Sequence, residues 1–154
     1  MKTEIYLSLG SNMGDRRRFI RQATERLRAL GKIRISDEYT SEADGFVSDN
    51  RFLNIAAVLE YESTAPLTES DAIALLRKIK EIERDLSAVS HRNSDGSYRD
   101  REIDIDIIAI EGLRMDCPEL TIPHPRAASR AFVTVPLRQL IGDDAVSRLL
   151  HWAM

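Results

Sequence analysis

The chain has 154 residues and a mass of 17.5 kDa, the length of one domain with a single hydrophobic core. Hydrophobic residues make up 43% and charged residues 31%, which favours a globular protein over a disordered or membrane class, and the net charge of −3 argues against duplex nucleic acid. The single cysteine, Cys117, excludes an internal disulfide. We therefore expect one cytoplasmic domain over residues 1–154, a monomer that acts on small molecules without a nucleic-acid or membrane partner.

The first half of the chain predicts a strand, a helix and two further strands. Strand-forming residues at 4–9 end in the turn residues 10–12, and Gly31 follows the next helix as its stop signal. That helix is predicted from apolar residues at 3.6-residue spacing: Ile20, Ala23, Leu27 and Leu30. Residues 33–41 and 52–61 follow as strands, and two successive strands with no helix between them most simply pair antiparallel.

The second half begins with a long predicted helix and a long loop. Thr68 and Asp71 resemble a capping box at the start of the helix. Apolar side chains recur along one of its faces: Ala72, Leu75, Ile79, Ile82 and Leu86. Charged residues, among them Lys80 and Glu83, occupy the other faces. Residues 87–100 show no periodicity, and a loop of this length is often a lid or a binding loop.

Residues 103–110 predict an apolar strand, and the tail adds a short strand near 120–122 and helices around 133–140 and 144–151. The resulting order, β-α-β-β-α-β followed by a short strand and helix extension, is that of a ferredoxin-like α+β fold. Such a fold is an α/β sandwich, in which helices pack on one mixed or antiparallel sheet. Because many unrelated proteins share it, the function has to be argued from the sites.

Asp104 and Asp106 form the strongest chemical signal in the sequence. Alternation along a strand puts both carboxylates on one face, about 6–7 Å apart at their Cα atoms, while Ile103, Ile105 and Ile107 face the core. Two neighbouring carboxylates repel each other, and a Mg²⁺ ion bound together with substrate phosphates would relieve that repulsion. The alternative interpretation is an edge strand with an acidic outer face.

Cationic side chains lie close to this strand in the sequence. Arg101 lies just before the strand, and Arg92 and Arg99 lie in the loop that precedes it. His124 stands between two prolines, which restrict its backbone, and Arg130 follows six residues later. Guanidinium groups near a carboxylate-bound metal are typical of phosphate-transfer sites. The alternatives are solvated loop arginines and a histidine that makes only a structural hydrogen bond.

A third group of residues is suited to a flat ligand. Asn54 shares a strand face with Phe52, and Phe132 lies in the segment after Arg130. Aromatic rings can stack on the faces of a polar heterocycle while an amide forms hydrogen bonds with its edge. The alternative is that both phenylalanines belong to the core.

Four motifs occur in order along the chain. They are Leu9-Gly10-Ser11-Asn12-Met13-Gly14-Asp15, Phe52-Leu53-Asn54-Ile55-Ala56-Ala57, Arg101-Glu102-Ile103-Asp104-Ile105-Asp106-Ile107, and Pro123-His124-Pro125-Arg126 with Arg130-Ala131-Phe132. Together they resemble the bacterial 6-hydroxymethyl-7,8-dihydropterin pyrophosphokinase family of the folate pathway, colinearly from Tyr6 to about Leu140. The resemblance implies an ATP-dependent diphosphotransferase that transfers pyrophosphate from ATP to the hydroxymethyl group of a reduced pterin and gives AMP.

The resemblance also implies roles for individual residues by motif position. Asp104 and Asp106 would hold two Mg²⁺ ions, which bridge the ATP phosphates and the pterin hydroxyl. Four further residues would bind the nucleotide: Arg101, His124 and Arg130 at the triphosphate, and Glu83 on the second helix. Five would bind the pterin: Asn54 at the ring edge, Phe52 and Phe132 on the ring faces, Ser41 through its backbone, and Tyr98 as the expected nearby aromatic residue.

The chain departs from the family pattern in both loops that would cover the substrates. Residues 86–88 are Leu-Ser-Ala where the family has a Gly-Arg pair that supplies a mobile lid arginine, and residues 41–45 differ from the usual Thr-Pro-Pro-x-Gly. Three hypotheses remain open. The chain is a working enzyme in which Arg92 or Arg99 replaces the missing catalytic arginine, or a relative with another acceptor or no turnover, or a non-catalytic ferredoxin-like binding module.

Overall fold

Seven strands and four α-helices lie within residues 1–42, 51–87 and 102–151, which the computed structural model describes. In chain order they are β1 (Lys2–Ser11), α1 (Arg16–Arg28), β2 (Lys32–Ile35), β3 (Tyr39–Ser41), β4 (Phe52–Glu62), α2 (Glu69–Leu86), β5 (Asp104–Ile110), β6 (Met115–Asp116), β7 (Thr121–Ile122), a 3-10 turn (Ala127–Ser129), α3 (Ala131–Ile141) and α4 (Asp143–His151). β1 pairs antiparallel with β4 and β5, and β4 also pairs with β2 and β3, so the sheet order is β2-β4-β1-β5. The predicted ferredoxin-like α+β fold is confirmed.

Alternation along the strands divides the core between the two faces of the sheet. On one face, apolar residues of β1, β4 and β5 pack with α1 and α2: Ile5, Leu7, Leu9, Ile55, Leu59, Ile105, Leu27 and Ile79 are among them. On the other face, a smaller cluster packs with α3 and α4: Tyr6, Ala56, Val58, Ile108, Val133, Leu137 and Val146 are among its members. The smaller cluster covers only part of its face, and this leaves room for polar residues there.

The prediction of one continuous strand over residues 33–41 is wrong, because this segment forms two strands, β2 and β3, which both pair with β4. They separate at Ser36, whose Oγ accepts from the Ala56 N–H at 2.8 Å while its own N–H donates to the Ala56 carbonyl at 3.0 Å. A side-chain oxygen therefore takes the place of a backbone acceptor, and the ladder is interrupted. β6, which pairs with β7, was not predicted because two residues are too few to show a period.

The start of α2 agrees with the sequence. The Asp71 N–H donates to Thr68 Oγ1 at 3.2 Å, and the Thr68 N–H donates to Asp71 Oδ2 at 2.9 Å, so the predicted capping box is confirmed. At the start of α1, Asp15 Oδ1 accepts from the Arg18 N–H at 3.2 Å. In the part of the chain that the structure describes, no helix is long and apolar enough to cross a membrane.

Gly31 is required by close packing rather than by helix termination. α1 ends at Arg28, and a Cβ atom on Gly31 would overlap the carbonyl oxygen of Glu60 and lie 3.0 Å from its carbonyl carbon. Gly31→Ala should push β4 away from this turn and lower the free energy of unfolding by about 1–3 kcal/mol, measured by urea unfolding. Gly112→Asn is the control, because its Cβ position has nothing within 4 Å and asparagine tolerates its positive φ. Equal losses in both variants would contradict this explanation.

Candidate active site

Polar residues lie on the same face of the sheet as the smaller cluster, next to it along β1, β4 and β5. Gly10 of β1 pairs with Asn54 on one side and with Asp104 on the other, and Ser8 pairs with Asp106. Because neighbouring strands lie about 4.8 Å apart, the Cα atoms of Asn54 and Asp104 are about 10 Å apart, with Gly10 between them. We call this region the polar end of the sheet, defined by Ser8, Gly10, Phe52, Asn54, Asp104 and Asp106.

Asp104 and Asp106, the carboxylate pair, lie on one face of β5 as predicted. Both side chains are half-buried, whereas Ile103, which precedes them, and Ile105, which lies between them, are fully buried in the core. Among the described residues, no group of three or more His, Cys, Asp or Glu side chains could hold a metal. A pair of carboxylates nevertheless fits Mg²⁺, which is held in proteins by one or two carboxylates together with substrate phosphates and water.

Glu83 corrects the interpretation of α2 as a helix with charged outer faces. Its side chain is fully buried, and its Oε2 accepts from the Ile105 N–H at 2.8 Å. Burial raises the pKa of Glu83 and Asp104 adds to the rise, whereas Lys80 and the Ile105 amide oppose it. The structure therefore places Glu83 against the strand that carries the carboxylate pair.

His124 lies on a turn that is held against β5. Its backbone N–H donates to the Ile108 carbonyl at 2.7 Å, and its ring Nδ1 accepts from the Arg126 N–H at 3.2 Å. Burial lowers the pKa of His124, and the charges of Arg130 and Arg126 lower it further, while Asp104 opposes them. The ring is therefore neutral at pH 7, with its proton on Nε2 as a hydrogen-bond donor.

The lowered pKa of His124 predicts a loss of stability in acid. The unfolded histidine takes up a proton near pH 6.5, whereas the folded histidine resists protonation until a lower pH. The contribution of neutral His124 to the free energy of unfolding is therefore fully present above pH 6.5 and is lost as the pH falls through the pKa of the folded state. His124→Asn keeps an acceptor for the Arg126 N–H and has no titrating ring. Between about pH 7 and pH 5, its unfolding temperature should fall less than that of the wild type. The prediction is wrong if both proteins lose the same amount.

Asn54 is fixed in place by its own amide nitrogen. Nδ2 donates to the Tyr39 carbonyl and to Ser41 Oγ, both at 2.9 Å, and the side chain is buried. These bonds join β4 to β3 and place Oδ1 beside Gly10, where a Cβ atom would lie 3.0 Å away. Ser41 therefore contacts Asn54 through its side chain, and the two residues present one ordered polar edge.

Phe52 and Phe132 lie on the same face as Asn54 and are both half-buried. The Phe52 ring lies next to Gly10, with Cδ1 3.3 Å from the position of a Cβ atom there. Phe132, in the first turn of α3, packs against the cluster that α3 and α4 share with the sheet. The Arg130 guanidinium carbon lies 5.5 Å from the centre of the Phe132 ring, within the range of a cation–π interaction. The ring and the cation thus lie together at the start of α3.

The structure brings together most of the predicted site residues. Four of them lie outside the described residues: Arg92, Tyr98, Arg99 and Arg101. Two charged residues that the sequence reasoning did not select, Lys80 and Arg126, contact Glu83 and His124. The signal for Lys80 is its position three residues before Glu83 on one helix, and the signal for Arg126 is its place in the Pro-His-Pro-Arg motif, two residues after His124.

The fold and the site together define an α+β domain whose carboxylates, histidine and arginine are of the kinds used in metal-assisted phosphate transfer. Comparison with known proteins narrows this class to one family. The profile of the 7,8-dihydro-6-hydroxymethylpterin-pyrophosphokinase (HPPK) family matches residues 6–142 of the chain.

Curated relatives from several bacteria carry the name 2-amino-4-hydroxy-6-hydroxymethyldihydropteridine pyrophosphokinase. The Porphyromonas gingivalis protein is 39% identical over 136 residues, which cover 86% of this chain and 87% of the relative. The Methylorubrum extorquens protein is 35% identical over 144 residues, which cover 92% of this chain and 84% of the relative. The Aquifex aeolicus protein is 36% identical over 137 residues, which cover 88% of this chain and 79% of the relative.

A solved structure of a Plasmodium falciparum HPPK-DHPS triple mutant matches with a TM-score of 0.58 at 14% identity, a likeness that shows the fold alone. The match covers 99% of this chain but 45% of the Plasmodium chain, so this chain spans less than half of that protein. The family profile and the bacterial relatives show that the chain belongs to the HPPK family of enzymes, which are diphosphotransferases.

Proposed function

We propose that the polar end of the sheet is the active site for the family's reaction, the transfer of pyrophosphate from ATP to the hydroxymethyl group of 6-hydroxymethyl-7,8-dihydropterin. The observation that carries this proposal is the row formed by Asn54, Gly10 and Asp104 across three strands. It places a residue with an amide suited to a heterocycle and a residue with a carboxylate suited to a metal two strands apart, with about 10 Å between their backbones. A reduced pterin is long enough to span that row, with its hydroxymethyl group at the carboxylate pair.

On the nucleotide side, the carboxylate oxygens of Asp104 and Asp106 would hold two Mg²⁺ ions. When bound, Mg²⁺ neutralises phosphate charge and lowers the pKa of a bound hydroxyl. The neutral His124 donates its Nε2–H to a phosphate oxygen, and Arg130 adds a positive charge beside it. Arg101 is assigned to the triphosphate as well, on the strength of the motif.

On the acceptor side, Asn54 forms hydrogen bonds with the edge of the pterin, and Phe52 and Phe132 stack on its faces. Ser41 supports this arrangement by holding the Asn54 amide. Tyr98 is assigned to the same site by its place in the sequence. These contacts fix the direction of the hydroxymethyl group before the reaction, which is the principal contribution that a protein makes to phosphoryl transfer.

At the β-phosphorus the reaction forms one bond and breaks one. The pterin hydroxyl oxygen attacks the β-phosphorus of ATP and releases its proton to solvent, while the bond from the β-phosphorus to the oxygen that bridges it to the α-phosphorus breaks. AMP leaves with that bridging oxygen. Arg92 or Arg99 supplies the loop charge that the family's lid arginine provides elsewhere. The protein acts as a cytoplasmic monomer that needs neither nucleic acid nor a membrane.

Binding of α,β-methylene-ATP, which cannot react at the bond to be broken, tests the nucleotide half of the proposal without catalysis. Because the carboxylate pair repels a bare triphosphate, calorimetry should show at least about a hundredfold tighter binding with Mg²⁺ than without it. Binding of equal affinity in both conditions would contradict the assignment of Asp104 and Asp106 to the metal.

A further inference from the structure

Glu83 lies at the free edge of the strand that carries the carboxylate pair. In the described part of the sheet, β5 pairs only with β1, so every second N–H of β5 points away from its partner. The Ile105 N–H is one of these, and it lies between Asp104 and Asp106 in the sequence. This N–H donates to Glu83 Oε2 at 2.8 Å. Without Glu83, the amide at the edge of the sheet would need a water molecule as its hydrogen-bond acceptor.

The other carboxylate oxygen of Glu83 faces a cation. Lys80 Nζ lies 3.1 Å from Oε1, one turn earlier on α2, and Oε1 has no well-aligned hydrogen bond among the described residues. A fully buried carboxylate is costly unless a counter-charge accompanies it, and Lys80 supplies that charge. The Lys80 side chain is 45% exposed, so it is not confined to this contact by packing.

Lys80 also lies within electrostatic reach of the carboxylate pair. Burial lowers the pKa of Lys80, but the negative charges of Glu83, Asp104 and Asp106 outweigh burial, and the pKa is raised. A lysine that lost its contact with Glu83 would still be attracted by the charges of these two aspartates. It would then compete with a divalent cation for the same oxygens.

We propose that Glu83 is a positioning residue with two tasks: Oε2 fixes the Ile105 amide between the two aspartates, and Oε1 holds the Lys80 ammonium away from them. The second task rests on the proposed function, because it assumes that the carboxylate pair binds Mg²⁺; the first task does not. In this account Glu83 acts through β5 and Lys80, and this indirect role replaces the contact with the nucleotide that the family resemblance implies for it.

The first task is tested in the metal-free protein by amide hydrogen exchange at Ile105. Glu83→Gln keeps an oxygen acceptor and should leave protection of this amide within about threefold of the wild type. Glu83→Ala removes the acceptor and should lower protection at Ile105 by at least about tenfold, with little change at Leu9 on the neighbouring strand. Unchanged protection at Ile105 in Glu83→Ala, or equal losses at Ile105 and Leu9, would overturn the positioning role.

The second task is tested by the Mg²⁺ concentration that gives half of the maximal binding of α,β-methylene-ATP. Glu83→Gln releases Lys80 and should raise this concentration about tenfold, because an ammonium then occupies the carboxylate pair. Adding Lys80→Met should return it to within about threefold of the wild type. Lys78→Met in the Glu83→Gln background is the matched control, since Lys78 is exposed on another face of α2, and it should not restore the value.

The two arms separate the possible failures. If wild-type binding is independent of Mg²⁺, the proposed metal site is wrong, and the exchange arm still decides whether Glu83 fixes Ile105. If binding depends on Mg²⁺ but Glu83→Gln leaves the half-saturating concentration unchanged, or Lys78→Met restores it as well as Lys80→Met does, the holding of Lys80 is refuted.

Discussion

Asp104→Asn and Asp106→Asn should each lower the rate of pyrophosphate transfer by about a thousandfold. Each change keeps the shape of the side chain and removes one of the two charges with which β5 would hold the metal. Because the two side chains are half-buried and outside the apolar core, the unfolding temperature should stay within a few degrees of the wild type. The rate is measured as AMP formed from saturating ATP, Mg²⁺ and the dihydropterin.

Asp116→Asn is the control for this pair of variants. Asp116 is an exposed aspartate on β6 that accepts from Thr121 Oγ1 at 2.9 Å, so it too is a strand carboxylate with a hydrogen bond. It lies outside the polar end of the sheet and should leave the rate unchanged. Activity above a tenth of the wild type in Asp104→Asn and Asp106→Asn would contradict the assignment of both residues.

Asn54→Ala should lower kcat/KM for the pterin about a hundredfold and leave the KM for ATP within about threefold of the wild-type value. A site built to hydrogen-bond a polar ring leaves the ring's edge groups unpaired when the amide is lost, and such losses are large. Steady-state kinetics with each substrate varied in turn separate the two effects. Asn54 also joins β4 to β3, so the variant needs a control for local structure.

Thr40→Ala provides that control, because Thr40 lies in the middle of β3 with an exposed side chain and pairs with Leu53. It should leave both KM values unchanged. A parallel rise in the KM for ATP and for the pterin in Asn54→Ala would show that the amide supports the whole site and does not specify the acceptor.

The sequence predicted those features that depend on neighbours along the chain. Asp104 and Asp106 fall on one face of β5 because alternation is a property of any strand, and the capping box at Thr68 needs only residues within one turn. The absence of a helix between residues 33–41 and 52–61 predicts the antiparallel pairing of β2 and β3 with β4, whereas no local rule assigns the pairing of β1 with β4 and β5. These local rules also sufficed to choose the carboxylate pair.

Features that depend on distant contacts were not predictable from periodicity. The helix pattern places Glu83 on an outer face of α2, because nothing in it shows that the edge amide of Ile105 lies opposite. The sequence indicates a helix stop at Gly31, although glycine is required there because of the close approach of the Glu60 carbonyl on β4. Ser36 interrupts a strand through a bond to Ala56, twenty residues away. In each case a backbone group in a different element decides the outcome.

The fate of the β-phosphate of ATP tests the central claim most directly. With β-³²P-labelled ATP, Mg²⁺ and 6-hydroxymethyl-7,8-dihydropterin, the wild-type protein should transfer the label to the pterin and form one unlabelled AMP for each labelled pterin diphosphate. The label should stay in ATP when the pterin is omitted. Labelled ADP as the nucleotide product, or AMP formed at the same rate without the pterin, would contradict pyrophosphate transfer to this acceptor.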